Sequence, residues 1–153
     1  ISHTDTYMKA AINVSIGTDG TASNNTLDMV EEMRFAALLP KGSLHNPEAV
    51  NARTALRMAT INGAKALGIH HLTGSLEVGK QADLIVIHAD ASNMLPIYDV
   101  YSAIVYASNS KNIRSSMVNG KWIMRNRELM NINKTETMES MKHIVNSQID
   151  NRK

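Results

Sequence analysis

Asn13-Val14-Ser15-Ile16-Gly17-Thr18-Asp19-Gly20-Thr21-Ala22-Ser23-Asn24-Asn25 is the stretch that decides the fold. Val14 and Ile16 are β-branched and alternate with Asn13, Ser15 and Gly17, which predicts a short strand stopped by glycine. Thr18 to Asn25 is polar and reads as a loop. A helix is predicted from about Thr26 to Leu39, with Asn25 as its N-cap, Asp28 three residues on, and Leu27, Val30, Met33 and Ala37 at helical spacing. Strand, loop and helix make one β/α unit. Asp19 then falls just past the C-terminal end of the strand, where barrel enzymes gather catalytic side chains, and Gly20 beside it can take a positive φ and let the loop turn sharply. A carboxylate there can bind a divalent cation and accept a proton from water, but Asp-Gly after a strand is also ordinary turn chemistry. Spacing alone leaves both readings open.

Before this unit, a helix-like stretch around Tyr7–Ile12 runs into the strand with no domain start ahead of it, so the chain reads as beginning mid-fold. After it, Pro40 to Leu44 break the periodicity, and Asn46-Pro47 predicts a second helix, cap first and proline next. Ala52, Ala55, Leu56 and Ala59 form a narrow face of small residues suited to close packing. A third helix is predicted over Asn62–Leu67, ended by Gly68 in a left-handed conformation. From Gly74 the texture turns to strands. Leu76 and Val78 alternate, Asp83 to Ile87 is a near-continuous apolar run expected to be covered on both faces, and Val105-Tyr106 suits another strand. Asn119-Gly120, between strand-like arms Ser116–Val118 and Lys121–Ile123, is a strong hairpin signal. Thr135–Ile149 regains helical spacing behind a capping box of Asn133 and Glu136.

Composition excludes several classes. The chain has 153 residues, 43% of them hydrophobic, and a net charge of +2 with its 16 Lys and Arg dispersed, so no basic stripe argues for nucleic acid. It has no cysteine, which rules out a disulfide framework and a thiolate zinc site and suits a reducing compartment. No apolar run reaches the roughly 20 residues of a membrane-spanning helix, and the expected location is the cytoplasm.

Four segments in order carry a family resemblance: Val14–Gly20 with Ala22–Asn25; Ala59–Ala64 with Ala66-Leu67-Gly68; Gly74–Lys80 with Ala82-Asp83-Leu84; and Val118–Lys121. Together they span roughly residues 13–125, and they resemble the eighth-strand signature and following motifs of amidohydrolases in the methylthioadenosine/S-adenosylhomocysteine deaminase and chlorohydrolase group. The resemblance implies an α/β fold. Residues 1–70 would be the last β/α unit and outer helices of a metal-dependent hydrolase TIM barrel, 71–130 part of a small β-sandwich, and 131–153 a C-terminal helix and tail. It implies hydrolytic deamination of an adenine nucleoside by metal-activated water, with other nucleobase deaminations and triazine hydrolysis as alternatives. A non-catalytic β-rich interaction module is a further reading.

By the same resemblance Asp19 matches the aspartate that ligates the metal and helps deprotonate the attacking water. Ser23 matches a loop position facing substrate in the nucleoside deaminases, and holding the loop or capping the helix is an equally simple role for it. The implied cofactor is one divalent metal, zinc first, with iron or another divalent ion as alternatives. Its remaining ligands, a His-x-His pair among them, have no counterpart in this chain. The implied partners are a small nucleoside or nucleobase substrate, the remaining N-terminal part of the enzyme, and further copies in a homo-oligomer. With neighbouring barrel strands outside the chain, Val14, Ile16 and the face of Ala52, Ala55, Leu56 and Ala59 are expected to lie open.

Other motifs carry less. His70 and His71 are adjacent and would point to opposite faces of a strand; His3, His45, His88 and His143 are isolated. Gly17-Thr18-Asp19-Gly20 lacks the spacing of a dinucleotide or phosphate loop. Met29, Met33, Met138 and Met141 read as packing residues, Asp83 as a turn or backbone-bonding acid, and Trp122 as packing across the hairpin.

Overall fold

A computed structural model describes residues 4–150; His3 lies outside them. The architecture is α/β: helices α1 (Thr4–Lys9), α2 (Met29–Leu44), α3 (Ala52–Met58) and α4 (Ile61–Ala66) precede a four-stranded antiparallel sheet, and α6 (Lys134–Asp150) follows it. The sheet has the order β1 (Leu84–Ile87), β2 (Ile113–Val118), β3 (Lys121–Arg125), β4 (Glu128–Leu129). Between β1 and β2 lie the single turn α5 (Val100–Ser102), a π-helical turn (Ala103–Ala107) and a 3-10 turn (Ser110–Asn112). Among the described residues no helix is long and apolar enough to cross a membrane.

The core lies where α2, α3 and the π-helical turn meet. Val30, Met33 and Ala37 of α2 pack with Val50, with Ala52, Ala55 and Met58 of α3, and with Val105. Ala52 and Ala55 of the small-residue face of α3 are therefore covered within the chain rather than left open, while Leu56 and Ala59 are half-buried and line a cleft. Alanines there let α2 and the π-helical turn approach closely. Arg34 of α2 adds a polar tie, donating from Nε to Val105 O at 3.4 Å and from Nη2 to Ser108 O.

Several local expectations are corrected. The first helix is Thr4–Lys9, and a left-handed Ala11 turns the chain before Ile12. The N-cap of α2 is Asp28, whose carboxylate accepts from Val30 N and Glu31 N; Asn25 leaves that role to a residue able to meet two free N–H groups. The same helix runs through Pro40 to Leu44, because Pro40 is buried against the core and the end is closed by left-handed His45. The next helix starts at Asn51, which accepts from Thr54 N, while Asn46-Pro47 forms the preceding turn. Val105 and Tyr106 lie in the π-helical turn: complete burial of Val105 in a helical core outweighs β propensity. Leu76 and Val78 stand exposed and outside any ladder, and in β1 Ile85 and Val86 are exposed while Leu84 and Ile87 are half-buried, so β1 is fully covered on neither face.

The hairpin reading holds. Val118 faces Lys121 across a two-residue turn with Asn119 at φ 48 and Gly120 at φ 74. Trp122 faces Met117 across the ladder, with the Arg125 guanidinium 5.9 Å from its ring centre. Gly68 ends α4 at φ +73, and Asn133 caps α6 by accepting from Glu136 N.

Candidate functional site

Asn13–Gly17 is extended, and its burial alternates: Val14 and Ile16 are half-buried against the core, while Asn13, Ser15 and Gly17 are exposed. That is the side-chain pattern of a strand. It belongs to no ladder, because among the described residues no strand lies beside it. It is held instead by the helices. Asn13 Nδ2 donates to Asn62 O at 2.9 Å, Asn62 Nδ2 donates back to Val14 O at 3.0 Å, and Ile16 N donates to Met58 O at 3.3 Å. This reciprocal pair ties the start of the segment to α4. Asn13 and Asn62 are 49 residues apart, and nothing local in the sequence marks them as partners.

Asp19 begins the loop. Contrary to expectation it is Asp19, at φ +59, that adopts the left-handed conformation, and not Gly20; aspartate tolerates this region better than most residues. Its Oδ1 accepts from Gly20 N at 2.7 Å and its carbonyl accepts from the Thr18 hydroxyl. The side chain is exposed, and Oδ2 has no hydrogen-bond partner among the described residues, which leaves one oxygen free for a ligand. Ser23 N and Asn24 N both donate to Gly20 O at 2.9 Å, closing a tight turn that sets Ser23 on the same loop as Asp19. Ser23 is exposed, and its hydroxyl forms no hydrogen bond among the described residues.

The far side of the loop is anchored to α2. Asn24 Nδ2 donates to Glu32 Oε1 at 2.6 Å, Asn24 Oδ1 accepts from Thr26 N, and the single Thr26 hydroxyl proton is shared between Asn24 Oδ1 and Glu31 Oε2. Asn24 thus braces the loop. Asp83 is remote in role: its carboxylate accepts from the Asn119 backbone N–H at 2.6 Å and the Thr73 hydroxyl at 2.7 Å, which hold its pKa below the ordinary 3.8 in that order of weight.

Among the described residues no group of three or more His, Cys, Asp or Glu could hold a metal ion. Asp19 fits such an ion as one donor, with a free carboxylate oxygen, and not as a complete site. A cleft of about 710 Å³ lies between α2, α3, α4 and β1 and is lined mainly by apolar groups such as Met33, Leu56, Leu84 and Ile87. Asp19 does not line it.

The Amidohydrolase family model matches residues 4–123. The 5-methylthioadenosine/S-adenosylhomocysteine deaminase of Acetivibrio thermocellus is 43% identical over 144 residues, 94% of this chain and 33% of that protein. The 5'-deoxyadenosine deaminase of Methanosarcina barkeri is 45% identical over 132 residues, 86% of this chain and 30% of its own length. Among solved structures, an adenosine deaminase from Xanthomonas campestris with bound zinc superposes with a TM-score of 0.89 at 38% identity, covering 92% of this chain and 32% of that one. The chain spans about a third of the length of the curated relatives it matches.

Proposed function

This chain belongs to the amidohydrolase family, and from that premise we propose that it supplies the Asp19 segment of a longer hydrolase that deaminates an adenine nucleoside. Asn13–Gly17 is read as the eighth strand of a TIM barrel, its neighbours lying in the rest of that enzyme, and β1–β4 as part of a β-sandwich. The alternating burial of Asn13–Gly17 and the packing of its apolar side on α2 and α3 support the barrel reading. The observation that carries the function is the Asp19 carboxylate at the end of this segment, one oxygen bonded to the loop and the other free.

A bound divalent cation, zinc being the ion in the Xanthomonas campestris relative, would supply Lewis acidity for water activation. The Asp19 carboxylate would hold it as one ligand through Oδ2 and, through its other oxygen, take a proton from the attacking water. Water adds to the ring carbon bearing the amino group, and the tetrahedral adduct expels ammonia once that nitrogen is protonated. The turn on Gly20 O keeps Ser23 on the same loop as the aspartate, and its hydroxyl is read as a contact to the substrate.

The test is made in the complete natural polypeptide. Asp19→Asn should leave the circular dichroism unchanged, lower metal content, and cut turnover about a hundredfold or more, since it removes a charged ligand and the proton acceptor together. Wild-type turnover in that variant would sink the assignment. Ser23→Ala should chiefly raise KM; unchanged kinetics would leave Ser23 as a loop residue.

A further inference from the structure

The sheet contains two two-residue turns with nearly the same backbone. Asn119-Gly120 joins β2 to β3 at φ 48 and 74, and Asn126-Arg127 joins β3 to β4 at φ 51 and 71. Such turns favour Asn-Gly, because the second position is free of penalty only for glycine. The second turn instead places an arginine there. Backbone strain retained at one of two otherwise equivalent positions points to a use for the side chain.

That side chain is fixed. Arg127 Nη1 donates to Ser110 O and to Ile113 O, both at 3.0 Å, and Arg127 N donates to Arg114 O. Arg114 Nε donates to Asn126 Oδ1 at 3.0 Å, and Asn126 N is held by the Ser115 hydroxyl oxygen. Each guanidinium is thus oriented by part of its donors, while Nε and Nη2 of Arg127 and both terminal nitrogens of Arg114 have no partner among the described residues. These two arginines, Lys111, His88 and Asn126 line a cavity of about 300 Å³. No carboxylate lines it. The ion pairs among the described residues are Lys9–Asp5 and Lys80–Glu77, so none neutralises this cluster.

We propose that this end of the sheet is a binding site for a diphosphate group, held by the Arg114 and Arg127 guanidiniums and the Lys111 ammonium. Two oriented guanidiniums and the Lys111 ammonium around one cavity repel one another until an anion enters, and oriented guanidiniums match the paired oxygens of a phosphoryl group. The volume reaches the lower range of ligand pockets, enough for two linked phosphoryl groups. Such a group can arrive as free pyrophosphate or as the end of a nucleoside diphosphate. No residue of the cavity belongs to the Asp19 loop.

Calorimetric titration of the complete polypeptide with pyrophosphate, and separately with ADP, decides it. Saturable binding at one site per chain is expected for at least one of them, weakened by added salt. Lys111→Ala, an exposed change, and Arg127→Gly, which suits the turn's backbone, should each weaken it at least tenfold. Saturation by ADP as tightly as by pyrophosphate would identify a nucleotide's end as an acceptable source; pyrophosphate alone would restrict the site to the free anion. Absence of saturable binding of either, or unchanged affinity in both variants, would overturn the proposal.

Discussion

Val14-Ser15-Ile16 and Leu84-Ile85-Val86 are both extended and rich in β-branched residues, but their backbones find partners differently. β1 pairs along its length with β2, Leu84 facing Met117 and Ile85 facing Ser116. The segment before Asp19 has no ladder and relies on two asparagine amides, one bond to Met58 O and the packing of Val14 and Ile16. A sheet is internally satisfied; a lone extended segment takes its position from side chains and from whatever else meets its free edges. The difference teaches that strand pattern and strand pairing are separate facts. A sequence writes the first locally, whereas the second depends on residues far away.

The comparison is broken most severely at the turn packed on α4, the helix that holds the Asn13–Gly17 segment. Gly74 lies at φ +91, and a Cβ there would sit 2.7 Å from Ala64 Cβ and 3.0 Å from Ile61 Cα. Gly74→Ala should destabilise by about 3 kcal/mol, overpacking and backbone strain together, as read by urea unfolding of the complete polypeptide. A loss below about 1 kcal/mol would mean that α4 and this turn are not rigidly apposed.

A smaller effect sharpens the contrast. Asn62→Ala removes the donor to Val14 O and leaves that carbonyl unmet, which should cost about 1–2 kcal/mol. Asn13→Ala, which removes only an exposed bond, should cost less. Equal, negligible losses would show that Val14 and Ile16 hold the segment by packing alone.

The smallest effect belongs to Asp83, which ties β1 to the hairpin turn. Its folded pKa lies below the ordinary 3.8, through the Asn119 N–H first and the Thr73 hydroxyl second. A depressed carboxylate stabilises the fold above its unfolded pKa, and that contribution fades as pH falls through the folded value. The stability gap between wild type and Asp83→Asn should therefore be full at neutral pH and close below about pH 3.8. A gap unchanged in acid would mean that the carboxylate's charge contributes nothing.

What could be read from the sequence follows the same division. Asn119-Gly120, Gly68 and the Asn133 cap each act within a few residues, and each lies where local chemistry puts it. The start of α2 was legible only as one of several polar residues before an apolar run. Which of Asn25 and Asp28 caps it depends on where the Asn24 brace places the loop. The turn at Val105 could not be read, since its burial comes from α2 and α3 rather than from its neighbours. For the candidate site, position and family pattern together point to Asp19, and the family pattern alone points to Ser23. The Asn13–Asn62 clamp left no local signal, and the Arg127 turn was hidden because arginine is not a residue that marks such turns.

The Arg34 guanidinium joins the last carbonyls of the π-helical turn to the middle of α2. In the language of amide exchange, two segments some seventy residues apart are thereby one opening unit. The N–H of Ser108, bonded to Ala103 O, cannot be released to solvent by unwinding its own turn alone, because the same motion pulls the accepting carbonyls away from the charged Arg34 donor of α2. Protection at Ser108 should track protection across the core of α2, so the chain's least regular turn would share the slow exchange of its longest core helix.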